Sequence, residues 1–354
     1  MKTRRILHLL DDVMPGALTR TLAHLETVAP HVHEVQTLAF GDRLSATSGH
    51  DVIVSHLSAE WLTPRAAAEL RAAVPHLPLV HVEHALAPGH PAVSRGPHGI
   101  EALREVYKRF DRVIACSEAQ AAWLLAERLV PDGRIGVIPP ASDLSGFAAL
   151  PPAVRPARRF GVLGRLTRQK GVDIAIAAFR KLENPGLTLD IIGAGPMRDA
   201  LVEQAAGDPR IRFHGHAVDP VQAMRGLDAV LAPSRWEAYG LSTLEARAAG
   251  RIAIASGAGG LRDQVCAGAR HVPGLTARAW TAAISRAATE PAPEFEIARA
   301  RVEADRAMDR FETRWALTLD SLARHAPAPA KRAARPAPRL RPARPTLTLV
   351  AALG

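Results

Sequence analysis

Between Asp228 and Ser256 the chain reads DAVLAPSRWEAYGLSTLEARAAGRIAIAS, and no other stretch restricts the fold as much. An apolar run, Ala229 to Ala232, stops at Pro233. A loop then carries Trp236, Glu237, Tyr239 and Gly240, and a helical pattern follows until Gly250 ends it before a second apolar run, Ile252 to Ala255. Strand, loop, helix and strand in this order are the building block of a parallel sheet. Loops after strands gather at one edge of such a sheet, where helix N-termini present free N–H groups. Glu237 on the loop and Glu245 in the helix's first turn therefore belong at a ligand crevice and not in a core. An ionised carboxylate has acceptors and no donors, which suits the hydroxyls of a ligand. The spacing also allows a simpler role: Ser242 and Glu245 fit the capping box S-x-x-E, in which the glutamate satisfies an N-terminal N–H and contributes about 1 kcal/mol.

The same alternation runs through the chain. Ile6 to Leu10, Val35 to Ala39, Val52 to Val54, Leu79 to Val82, Val113 to Cys116 and Ile135 to Ile138 read as strands. A Pro15-Gly16 turn follows the first of them, and helical patterns separate the others, one with Leu18, Leu22 and Leu25 on one face and one capped by Ser117. The run LPPAVRPARR after Ala148 reads as an interdomain connection. A second series of strands follows, Phe160 to Leu163, Leu187 to Ile192 and Ile211 to His214 before Ala229 to Ala232, with helices at Val172 to Leu182 and Pro196 to Ala206. With 354 residues available, two domains can each bury a core: 1–150, and 151–293. Residues 294–324 form a helical segment whose Phe311, Trp315, Leu319 and Leu322 stripe is packing. Residues 325–354 are Pro-, Ala- and Arg-rich and read as a disordered tail in preference to a dedicated binding segment.

A net charge of +10 raises nucleic acid or an anionic surface as a partner. Six basic residues and no acidic one lie in 325–354, so the remainder carries only +4. No nucleic acid is expected, while peripheral membrane contact through the basic tail stays open. Cys116 and Cys266 are the only cysteines and lie far apart, which indicates neither a disulfide framework nor a metal site and fits a reducing cytoplasm. The N-terminal MKTRRILHLLDD has too short an apolar run for a signal segment, and no stretch approaches the roughly 20 apolar residues of a membrane span.

Strand Phe160 to Leu163 ends in GRLTRQKGVD. A glycine here lets backbone approach a ligand, and Arg165 and Lys170 can neutralise a diphosphate without a metal, although solvated basic residues on a loop would look the same. Gly193-Ala194-Gly195-Pro196 lacks the third glycine of the dinucleotide fingerprint, and Pro196 suits a helix's first turn. Gly259 and Gly260 allow a simple turn. In chain order, however, GRLTRQKGVD precedes IIGAGPMRDAL, RFHGHAVDP and the glutamate pair. Over residues 160 to 265 this series resembles glycosyltransferase family 4, the retaining nucleotide-sugar enzymes of the GT-B fold.

The resemblance implies an α/β, GT-B architecture, two Rossmann-like parallel-sheet domains facing across a cleft. It puts a nucleotide-diphospho-sugar on the C-terminal domain, with Arg165 and Lys170 on the diphosphate, Glu245 on the ribose hydroxyls and Glu237 facing the sugar. Gly164, Gly193, Gly195, His216, Tyr239, Gly240 and Leu241 complete the donor side, and Gly16 approaches from the first domain. VEH resembles the family's strand-end histidine, which makes His84 the catalytic candidate beside Glu237, with His81 as its competitor. Two segments depart from the family: VMPGALTR offers Gly16 alone where a Gly-Gly pair is usual, and Pro140 and Ala141 replace Asn and Gly. The implied activity is sugar transfer, with no cofactor and no metal required, to an acceptor that is a glycan, a lipid-linked sugar or a small molecule, in cell-surface glycan or glycolipid synthesis. Two other readings stay open: a non-catalytic GT-B scaffold docking through its basic tail, and a sugar-nucleotide epimerase or hydrolase of the same fold.

Overall fold

The computed structural model describes residues 3–325 apart from 12–15, 29–30, 40–41, 43, 45–48, 86–92, 94–96 and 154. The tail, residues 326–354, and Pro15 of the first turn lie outside the described residues.

Two parallel sheets of six strands carry the chain. The first holds β1 (Arg5–Leu10), β2 (Val32–Thr37), β3 (Val52–Ser55), β4 (Leu79–Glu83), β5 (Arg112–Ala115) and β6 (Ile135–Val137), in the order β2-β1-β3-β4-β5-β6. The second holds β7 (Arg159–Leu163), β8 (Thr188–Ile192), β9 (Ile211–Gly215), β10 (Ala229–Ala232), β11 (Ile252–Ala255) and β12 (Arg270–His271), in the order β12-β11-β10-β7-β8-β9. Helices cover both faces of a parallel sheet, so its inner strands lack polar alternation: β3, β4 and β11 are buried at every residue. That is why these strands were legible as apolar runs. The edge strand β2 was misplaced, expected at Val35 to Ala39 and found three residues earlier, because its His33, Glu34 and Gln36 break the apolar run. Pro196 was expected inside a helix; that helix starts at Arg198, and Pro196 lies in the preceding loop.

In each sheet the chain reverses direction of growth once, beside β1 in the first and beside β7 in the second. Loops leaving the two strands at such a point diverge, and the crevice between them is the natural ligand site of an open α/β sheet.

The helix Glu294–His325 joins the halves. Its Phe311, Trp315 and Leu319 share one apolar cluster with Ile6, Val52 and Val54 of the first sheet and with Leu244 and Ala248 on the second domain's Leu241–Ala248 helix. The aromatic stripe read from the sequence is thus core that both domains need. Phe311 is 1% exposed, so Phe311→Ala should lower unfolding free energy by about 3–5 kcal/mol, read in a urea melt. A loss below about 1 kcal/mol would mean that the helix does not cover the first sheet.

Candidate active site

The loops after β7 and β10 meet at the second sheet's switch point. After Leu163, the chain makes a turn over Arg168–Lys170 and enters the Val172–Phe179 helix through Gly171, whose φ is +65°. A Cβ on Gly171 would stand 2.0 Å from the Pro233 carbonyl oxygen, so the close fit of these two loops requires glycine there. Further bonds lace them: Arg235 N donates to the Gln169 carbonyl at 2.7 Å, Gln169 Nε2 donates to the Trp236 carbonyl at 3.1 Å, and the Arg235 guanidinium grips both Asp173 oxygens. The Arg235 pairing holds the Asp173 carboxyl below the usual carboxylate range.

This lacing brings Lys170 and Glu237 together. Lys170 Nζ lies 2.5 Å from Glu237 Oε2, which also accepts from Ser234 Oγ at 3.3 Å. Lys170, Ser234, Glu237, Gly240, Ser242 and Thr243 line a crevice of about 10 Å³, room for about one water. Arg165 sits exposed on the same loop; its carbonyl accepts from Thr167 N at 2.9 Å, and its guanidinium forms no hydrogen bond among the described residues. Thr243, which the sequence reading passed over, brings a buried hydroxyl without a partner among the described residues to this crevice.

Glu245 does not cap its helix. The helix runs Leu241–Ala248 with Gly240 as its N-cap, so Ser242 is already helical and Glu245 is beyond the first turn. The capping alternative therefore fails on geometry. Instead Glu245 is 2% exposed, and its Oε1 meets Arg20 Nη1 at 2.6 Å and Ser142 Oγ at 3.4 Å. Arg20 belongs to the Ala17–Val28 helix of the first domain, so this pair spans the two halves. Burial raises the Glu245 carboxyl above the ordinary carboxylate range, and Arg20 and Ser142 oppose that shift. A second bridge lies nearby: Asp263 of the second domain accepts the Glu118 and Ala119 backbone N–H groups at 2.7 and 3.2 Å, a carboxylate at the N-terminus of the Glu118–Ala126 helix. The halves are shut against each other by charge.

The remaining candidates divide. Gly164, Gly193, Gly195 and His216 stand at the carboxyl edge of the second sheet, with His216 exposed. The two glycines after β8 serve packing: a Cβ on Gly193 would lie 1.8 Å from the Gly164 carbonyl oxygen, and one on Gly195 2.5 Å from that of Leu166. Tyr239 turns its ring into the core, which leaves its side chain unavailable for the expected donor contact; Gly240 caps the helix that Leu241 opens. Gly16 directly precedes the Ala17–Val28 helix and its N–H meets Thr19 Oγ1 at 3.0 Å. His81 is buried, with its ring 5.1 Å from that of Phe110 and its nitrogens on Ser55 and Glu83. His84, by contrast, directly follows β4 at the carboxyl edge and bonds His56 at 2.8 Å. Arg20, Ser142 and His56 were not found from the sequence; for His56, the histidine at the strand end in VIVSH was the available signal.

Residues 30–145 match the family described as Glycosyltransferase Family 4, and residues 157–290 match Glycosyl transferases group 1, so each sheet domain carries one half of the same architecture. The chain belongs to glycosyltransferase family 4. Glycogen synthase of Mycobacterium tuberculosis is 34% identical over 250 residues, 64% of this chain and 58% of that protein. D-inositol 3-phosphate glycosyltransferase of Mycolicibacterium smegmatis is 31% identical over 292 residues, 70% of this chain and 64% of that protein. The chain thus spans less than two thirds of the length of these relatives. The fold is GT-B: Anabaena Alr3699/HepE, solved in complex with UDP and glucose, superposes with a TM-score of 0.71 at 19% identity, covering 90% of this chain and 100% of that one. Sucrose-phosphate synthase from Thermosynechococcus elongatus gives 0.68 at 19% identity, over 91% and 98%.

Proposed function

We propose that this family member is a retaining glycosyltransferase that moves a sugar from a nucleotide-diphospho-sugar to an acceptor hydroxyl in the interdomain cleft. The observation that carries this reading is the meeting of Lys170, Glu237 and the N-terminus of the Leu241–Ala248 helix at the switch point, with Arg165 exposed beside them. The leaving group is a nucleoside diphosphate, whose charge grows as its bond to the sugar breaks. Fixed cations and helix N–H groups at that place lower the barrier without reorganising, and they do so in place of a metal. Arrival of the donor separates Lys170 from Glu237: the ammonium turns to phosphate, and the carboxylate accepts from the sugar hydroxyls. Glu245 takes the ribose hydroxyls. Closure of the two halves keeps water from the activated sugar. The relatives named a glycogen synthase and an inositol-phosphate glycosyltransferase make a sugar or polyol hydroxyl the preferred acceptor class. No helix among the described residues is long and apolar enough to cross a membrane, and a cytoplasmic enzyme with peripheral membrane contact through the basic tail fits this reading.

Thermal shifts with a panel of nucleotide-sugars test it, because a ligand at 100 times its Kd adds about 2.7 kcal/mol. No shift with any donor would reject the proposal. Arg165→Ala and Lys170→Ala should each weaken UDP roughly 10-fold or more while changing uridine affinity less than about twofold, since only UDP carries the diphosphate. Equal losses for both ligands, measured by calorimetry, would remove these residues from the diphosphate.

A further inference from the structure

Four imidazoles cross the first sheet at the level of the cleft, and every link has the same polarity. His33 Nδ1 meets His8 Nε2 at 2.9 Å, His8 Nδ1 meets His56 Nε2 at 2.9 Å, and His56 Nδ1 meets His84 Nε2 at 2.8 Å. The strands carrying them, β2, β1, β3 and β4, are consecutive neighbours, so the strand spacing of about 4.8 Å sets the repeat. The rings follow it, with centroids 5.2, 5.1 and 5.1 Å apart and 26° between successive planes. At the far end His84 Nδ1 lies 3.7 Å from the Cys116 sulfur.

Burial drives all four rings to the neutral form, with His33 and His84 held down at about 4. A neutral imidazole has one N–H and one bare nitrogen, and each link needs one of each. Only two arrangements satisfy all three links: every ring protonated on Nδ1, or every ring protonated on Nε2.

Two observations choose between them. His33 Nε2 is buried with no hydrogen-bond partner among the described residues, and a buried N–H without an acceptor is rarer than an acceptor left bare. At the other end, Glu83 favours positive charge at His84, and Glu83 and Glu237 both raise the Cys116 thiol behind its burial. These negative charges favour the arrangement that puts the row's N–H at the His84 end, where Nδ1 faces the Cys116 sulfur. We infer that the acceptor-free end of the row at β2, three links from the cleft, fixes the tautomer of His84, so that His84 presents an Nδ1–H donor and not a lone pair. The Cys116 sulfur is a weak acceptor, so this is the ring nitrogen of His84 free to exchange its partner for a ligand oxygen. On the glycosyltransferase reading, which this step rests on, His84 donates to a donor-sugar oxygen and takes no proton from the acceptor. His33, His8 and His56 are positioning residues.

Long-range ¹H–¹⁵N correlation on the histidine-labelled full chain tests it, with His84 assigned through His84→Gln. The expected spectrum has a pyrrole-type Nδ1 and a pyridine-type Nε2 in all four rings. His33→Asp sets a carboxylate acceptor against His8 Nε2 and should reverse the row, leaving Nδ1 of His84 bare; His33→Phe should keep the parental tautomer. A pyridine-type Nδ1 at His84 in the parent overturns the inference even if His33→Asp fails to fold, and so does a folded His33→Asp with an unreversed row. Calorimetry with UDP-glucose and UDP separates the two layers. His33→Asp should weaken UDP-glucose about 2- to 12-fold and leave UDP unchanged, the loss of one neutral hydrogen bond. An unchanged UDP-glucose affinity in a reversed row would overturn the sugar contact. A parent that binds neither probe nor any other nucleotide-sugar would sink the glycosyltransferase reading while the tautomer result stood.

Discussion

Glu245→Gln is expected to weaken UDP binding roughly 10- to 150-fold and to leave the ligand-free protein at least as stable as its parent. The first half follows from charge: a hydrogen bond to an ionised acceptor contributes about 1.5–3 kcal/mol, and glutamine keeps the shape but loses the charge. The second half follows from burial. Glu245 has a folded-state pKa raised above its unfolded value, so the folded state binds more protons, and stability falls as pH rises from the ordinary carboxylate range through the raised value. Glutamine has no such titration. The stability gap in its favour should open above the ordinary carboxylate range and close in acid, where parent Glu245 is protonated. Arg20→Ala acts oppositely, because it removes a contact that lowers the Glu245 pKa: its melting temperature should drop more at pH 8 than at pH 5. Calorimetry and melts at both pH values check these signs. UDP affinity within about threefold of the parent would take the ribose from Glu245.

Gly193→Ala should cost about 2–6 kcal/mol of unfolding free energy before any ligand is added. Its φ of +151° is open to glycine and strained for alanine by about 1–3 kcal/mol, and the new methyl would run into the Gly164 carbonyl oxygen. That oxygen belongs to a backbone tied by Gly164 N to the Ile192 carbonyl at 3.0 Å, so it cannot retreat cheaply, and overpacking adds a further 1–3 kcal/mol or so. A urea melt of the ligand-free protein decides the matter. Unchanged stability with lost nucleotide affinity would mean that Gly193 is there for a ligand's approach, as the sequence alone allowed.

What could be read in advance was set by burial. The inner strands β3, β4, β10 and β11 announce themselves because both of their faces are covered, and apolar runs of four or five residues have few other uses. Two edge strands did not: β2 mixes polar and apolar residues and was misplaced, and β12, only Arg270 and His271, was missed, whereas the edge strands β6 and β9 were read in place. At the site, Glu237, Lys170 and Glu245 were legible because their spacing is local to one or two loops. Arg20 and Ser142 were not, since each reaches Glu245 from more than 100 residues away and nothing in a helix's first turn or a proline-rich loop records that distance. The capping box misled for a related reason: S-x-x-E is a local pattern, but Gly240, with φ of +89°, had already turned the chain and started the helix two residues earlier.

The helix Glu294–His325 also sets a timetable for synthesis. The first sheet is complete once β6 has left the ribosome, yet Ile6, Val52 and Val54 wait for Phe311, Trp315 and Leu319, made near the end of the described chain. At about 5–20 residues per second, that leaves the nascent first domain without its cover for on the order of 10–30 seconds. During that interval a face built of valine and isoleucine is open to chaperones or to other nascent chains. Slow translation between β6 and the last helix should therefore lower the soluble yield more than the same delay before β1.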